Sequence, residues 1–149
     1  QIKVYTPQNI RINIITMKKL ISGTVLFILI SFAAQSISHF GINAEHYSTI
    51  PFMRKEPIFF LGILTMIMQD LVLSYLFLLF SKNEFSLKNG ALFGLLITAL
   101  FVTYPALVEP AKYIVPSISS WILVEGIVGI IQFTLYGIVL SVVFSRLKT

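Results

Sequence analysis

The chain has no cysteine, which excludes disulfide bridges, thiol catalysis, Cys-ligated zinc and iron–sulfur clusters but leaves the redox compartment open. Histidine occurs twice and tryptophan once, so a histidine-based metal or haem centre has little to draw on beyond His39, His46 and the nearby Glu45. Charge is scarce as well. Asp, Glu, Lys and Arg make up 11% of the residues, against about a quarter in an ordinary soluble domain. No glycine-rich phosphate loop and no zinc-binding spacing occurs, and nothing in the sequence names a cofactor.

Apolar residues fill the chain instead, at 56% of the total. Their placement decides the class: they form runs of about 20, the length a helix needs to cross ~30 Å of hydrocarbon. Four such spans are predicted, near residues 20–39, 58–80, 90–109 and 119–145. Pro57 suits the opening turn of the second span, and the fourth is long enough to tilt or project. The connections, at 40–57, 81–89 and 110–118, are short enough that consecutive helices are expected to pack as antiparallel neighbours. The fold class is therefore all-α, a four-helix antiparallel transmembrane bundle in one membrane domain at 17–149.

Residues 1–16 stand apart. Met17-Lys18-Lys19-Leu20 reads like a natural start, so residues 1–16 are expected to be an upstream or non-native extension, or disordered. Lys18-Lys19 followed by an apolar stretch and Ala33-Ala34 also fits a secretory signal, whose cleavage would leave three spans. The apolar character continues past that point to Ile37 and Phe40, which favours a retained first span.

The net charge is +5, which in a soluble protein would point to nucleic acid. Here the basic residues flank apolar spans, so the bilayer is the expected partner and nucleic acid is not. With the N-terminus inside, the cytoplasmic side carries Lys18, Lys19, Lys82, Lys88, Arg146 and Lys148, together with Lys3 and Arg11. The other side carries Arg54, Lys55 and Lys112. That asymmetry places both termini in the cytoplasm. Tyr47, Phe52, Tyr113 and Trp121 fall at the outer interface, where amphipathic rings settle.

Polar residues inside the spans are the most informative. A carboxylate at the helix centre costs ~2.5–3.5 kcal/mol on insertion, and the fifteen Leu, Ile, Phe and Val of 58–80 contribute roughly −4.5 to −9 kcal/mol. The second span thus tolerates Asp70 near its middle, next to Gln69, provided that Asp70 faces protein or water or stays protonated. In the fourth span Glu125, Gly129, Gln132 and Tyr136 share a face; in the third, Gly90, Gly94, Thr98, Pro105 and Glu109 do; in the first, Ser31, Gln35, Ser38 and His39. By depth, Gln35, His39, Glu109 and Glu125 belong to the outer half, with Asp70 and Gln132 near the midplane. The expectation is a polar core that opens outward and narrows toward Asp70. The competing structural roles are interhelical hydrogen bonding for Gln35, Gln69 and Gln132, a pair with Lys112 or His39 for Asp70 and Glu125, and a solvated helix end for Glu109. Ser38 beside His39 is adjacency in sequence and does not establish a nucleophile–base geometry.

Pro57 opening the second span, Asn89-Gly90 followed by Phe93-Gly94, and Trp121, Glu125 and Gln132 before Gly137 give the layout of residues 17–145 a resemblance to small bacterial four-helix membrane proteins grouped as domains of unknown function. The resemblance implies a family fold and a bacterial inner-membrane home, and it carries no activity. The small multidrug exporters also have four helices, but they place an essential carboxylate in the first span, where this chain has none. The leading expectation is a small integral membrane protein that acts by association, as a homo-oligomer or with a membrane-protein partner, or through a polar intramembrane pocket, without catalysis. Proton- or cation-coupled transport or a channel using Asp70 and Glu125 is the second, and a membrane-embedded enzyme the third.

Overall fold

The computed structural model describes residues 7–51, 54 and 56–147, and among these there is no strand. Lys3, Phe52, Lys55 and Lys148, all used in the sequence reading, lie outside the described residues. Four helical stretches are long and apolar enough to cross a membrane: Ile14–Ile42, Phe59–Ser81, Leu87–Lys112 and Ile118–Arg146. They coincide with the four runs read from the sequence.

The first helix, α1, spans Pro7–Ile37, so it takes in residues 7–16 of the segment set apart above. It widens into a π-helical turn at Ser38–Ile42 and stops at Asn43, whose backbone N–H bonds the Ser38 carbonyl at 2.9 Å and whose Nδ2 donates to Ser38 Oγ at 3.0 Å. The first of these bonds satisfies a carbonyl that the helix end would otherwise leave open, and the second ties the two side chains together. A short helix, α2, follows at Ala44–Ser48 and tucks Tyr47 and, just beyond it, Ile50 against Trp121.

The second span is α3, Phe59–Ser81, and it buries one stripe: Asp70, Leu73, Ser74, Phe77 and Ser81. These positions recur every three or four residues, the spacing of one helical face. Its other faces expose Phe60, Met68, Val72 and Leu79, a surface that water would not tolerate and hydrocarbon does. Lys82 and Asn83 then turn the chain in the left-handed region, at φ 48° and 67°.

Ser86 caps α4, Leu87–Phe101, accepting from the Asn89 N–H at 3.1 Å. Pro105 has no N–H to give, and the helix loosens there into a π-helical turn at Tyr104–Val108 before α5, Glu109–Lys112, completes the third span. The last span is α6, Ile118–Arg146, capped by Ser117.

α6 is the centre of the bundle. It packs most closely on α4 and also on α1, and α1 in turn packs on α3. Consecutive packing therefore holds for the first pair of spans and the last pair, while the backbones of α3 and α4 stay mostly apart although a tight turn joins them, the two helices meeting through Phe77, Phe80 and Phe93. The α4–α6 seam is close because Gly94 and Gly137 let the two backbones meet: a Cβ on Gly94 would strike the Phe133 carbonyl, and one on Gly137 the Gly90 carbonyl. Aromatic rings fill the end near Ser81, with Phe77 4.9 Å from Phe93 and 5.8 Å from Phe144 between ring centres. Lys19 lies buried at the same end with its ammonium 4.5 Å from the Phe85 ring centre.

Candidate functional site

Four of the outer-half residues named from the sequence meet in space. Gln35 and His39 from the end of the first span, Glu109 from α5 and Glu125 from α6 line one cavity of about 250 Å³, with Tyr47 and Trp121 in its wall. The helix interruptions make this possible. The π-helical turn at Ser38–Ile42 and the Asn43 stop fold α2 back over the bundle, which brings Tyr47 to Glu125. The loosened turn at Tyr104–Val108 carries Glu109 around to the same side and sets the Pro105 carbonyl where Trp121 Nε1 donates to it at 2.8 Å.

The hydrogen bonds fix the orientation of most of these groups. Tyr47 donates its hydroxyl to Glu125 Oε1 at 2.8 Å. The His39 ring stacks on Tyr47, with centres 3.6 Å apart and planes 11° from parallel. Its Nδ1 lies 3.0 Å from the Gln35 carbonyl, which can only accept, so Nδ1 carries the hydrogen and Nε2 is the basic atom of the ring. Burial pushes the Tyr47 phenol well above its ordinary pKa, and the Glu125 charge adds to the rise, so Tyr47 is a lasting hydrogen-bond donor there. Two carboxyl groups, an imidazole and two aromatic rings around so small a space make a site that favours positive charge.

A polar chain leads inward from the cavity. Gln35 Nε2 donates to Gln132 Oε1 at 2.7 Å, and Gln132 Nε2 donates to Ser31 Oγ at 3.0 Å. Both glutamines thus join α1 to α6, as hydrogen-bonding residues do between helices in hydrocarbon. One helical turn farther along α6 lies a second cluster. Asp70, fully buried, accepts from Ser74 Oγ at 2.9 Å and from the Tyr136 hydroxyl. Phe27 lies between the clusters, 5.0 Å from Tyr136 and 6.2 Å from Phe133 between ring centres. No polar bridge crosses that layer among the described residues.

The family models, the curated proteins and the solved structures give no match to this chain, so its chemistry is read from its own residues.

The structure departs from the sequence reading in its pairings. Asp70 is partnered by Tyr136 and Ser74, and Glu125 by Tyr47; neither meets Lys112, which rests on Tyr104 with its Nζ 3.4 Å from the phenol oxygen. Gln69 stays half-buried on the flank of α3, outside both clusters. His39, His46 and Glu45 do not gather: among the described residues no three His, Asp or Glu side chains come together as a metal set. Ser38 Oγ is engaged by Asn43, while His39 Nδ1 faces the Gln35 carbonyl. Tyr47 and Trp121 were read as interface aromatics; the place of Tyr47 in the cavity wall has no local signal, because it depends on the fold-back of α2, whereas Trp121 lies four residues before Glu125 on the same face of α6. Ser74 did have one: it lies four residues from Asp70 on the same face.

Proposed function

We propose that this small multi-pass protein of a bacterial cytoplasmic membrane works by holding a small positively charged solute in the polar cavity, without catalysis. The observation that carries the reading is the convergence of Glu109, Glu125 and His39 with the rings of Tyr47 and Trp121 on one cavity of about 250 Å³. Carboxylates supply the charge, and aromatic faces favour an ammonium group through the negative face of the ring. The Lys and Arg asymmetry supports an orientation with both termini in the cytoplasm, in which the cavity would open on the outer side. A cation held there does not cross the bilayer merely by binding.

Trp121 is the chain's only tryptophan and lies in the cavity wall, which makes intrinsic fluorescence a direct reporter. Titration of the detergent-solubilised protein with methylammonium and tetramethylammonium should give a saturable change in emission, and Glu125→Gln should weaken it at least tenfold. An emission that stays linear in added salt, or a binding curve unchanged in Glu125→Gln, would sink the reading.

A second reading, coupled transport, is favoured by the Asp70–Tyr136–Ser74 cluster, which continues the polar face of α6 one turn beyond Gln132. It requires Phe27 to move so that the two clusters communicate. Flux of the same cations into proteoliposomes separates the readings, since saturable binding without flux rules transport out.

A further inference from the structure

A second and larger cavity, of about 810 Å³, runs along the seam between the first span and α3. That size lies within the ~300–1,000 Å³ of sites that enclose organic ligands. Its two ends differ in chemistry. Phe32, Phe59, Ile63 and Met66 wall the end within the spans, and Ser48 and Arg54 stand at the other, outside the two apolar spans. Gly62 forms part of the wall, and a Cβ on it would meet nothing within 4 Å, so its missing side chain leaves open space in the groove and is not required by helix contact. An apolar slot with a guanidinium at its surface end has the chemistry of an acyl chain joined to a phosphate.

We infer that this groove is a binding site for a phospholipid of the surrounding leaflet, its phosphate on Arg54 and an acyl chain lying along Gly62 between α1 and α3. Arg54 is exposed, so its fork of N–H donors is open to an anionic head group. The chain would lie over Phe32 and Phe59, whose rings are 6.1 Å apart between centres and span the two helices. The bilayer supplies such an occupant at all times, and the exposed apolar flanks of both helices leave the groove open to it. The groove and the polar cavity share Gln35, His39, Tyr47 and Ile50, so a lipid head at Arg54 borders the mouth of the cation site. The lipid assignment does not rest on that site and stands on Arg54 and Gly62 alone.

Native mass spectrometry of the full chain released from mild detergent tests it, with phosphatidylglycerol and a diacylglycerol of the same acyl chains as probes. Wild type should retain phosphatidylglycerol at least tenfold better than diacylglycerol. Arg54→Gln should lower phosphatidylglycerol to the diacylglycerol level, and Gly62→Leu, which fills the slot, should lower both at least fivefold. Gly126→Leu serves as the control: a Cβ there also meets nothing within 4 Å, but the position is outside the groove, so retention should not change. Equal retention of the two lipids by wild type overturns the inference, as does wild-type retention in either Arg54→Gln or Gly62→Leu. A loss in Gly126→Leu equal to that in Gly62→Leu would show general lipid loss and overturn it as well.

Discussion

The α4–α6 seam makes two glycine substitutions differ in sign, although both replace a helical glycine by alanine in a transmembrane span. Alanine gains about 0.8–1 kcal/mol over glycine in a helix interior. At Gly126 nothing lies within 4 Å of the added methyl group, so the gain is kept. At Gly94 the methyl would strike the Phe133 carbonyl oxygen and come 2.7 Å from Thr134 Cα and 2.9 Å from the Phe133 carbonyl carbon. Those partners are backbone and cannot swing aside, which puts the overpacking cost at the top of the usual range, about 3 kcal/mol. The net loss is then about 2 kcal/mol. A chain of this size shifts its melting temperature by about 2–4 °C per kcal/mol. Gly94→Ala should therefore melt about 4–8 °C below wild type and Gly126→Ala about 2–4 °C above it, followed by far-UV circular dichroism in one detergent. Gly137→Ala, aimed at the Gly90 carbonyl, should follow Gly94→Ala. Shifts of the same sign for Gly94→Ala and Gly126→Ala would refute a seam held by direct backbone approach.

Tyr136→Phe keeps the ring against Phe27 but removes a donor to the fully buried Asp70, so stability should fall by about 1–3 kcal/mol, read as a lower melting temperature. Asp70→Asn combined with Tyr136→Phe should lose less than the two singles added, since they share one bond; strict additivity would show that the pair does not interact. At Tyr47 the raised phenol pKa means that the folded state holds a proton the unfolded chain gives up near pH ~10. Stability should be fully present below that value and decline as pH rises above it, and Tyr47→Phe should make the decline shallower. A melting series between about pH 9 and 11 checks this, and parallel curves for the two proteins would count against the burial argument.

Much of the fold was legible because hydrocarbon is a severe solvent. A helix must supply about 20 apolar residues to cross it, so the number of spans and their approximate limits follow from run length alone. The 3.6-residue period carried the next layer of information. It put Glu125, Gly129, Gln132 and Tyr136 on one face, and Ser31, Gln35 and His39 on another, and those faces do turn inward or line the cavity. Position along each helix likewise groups Gln35, His39, Glu109 and Glu125, the four that line the cavity.

What periodicity could not supply was the partner of each polar group. Tyr47 reaches Glu125 across 78 residues of sequence and Gln35 reaches Gln132 across 97, and pairings at such separations are set by how whole helices pack. That packing rests on the glycine seam of α4 and α6 and on the interruptions at Ser38–Ile42 and Tyr104–Val108, which turn Tyr47 and Glu109 toward a common space. The sequence by itself thus determined how many helices are long and apolar enough to cross a membrane and which faces are polar, because each is a property of a single helix and its solvent. Only the tertiary structure decided that Asp70 is held by Tyr136 and that Glu125 shares a cavity with His39 and Glu109, because both depend on distances between helices that no single run of residues encodes.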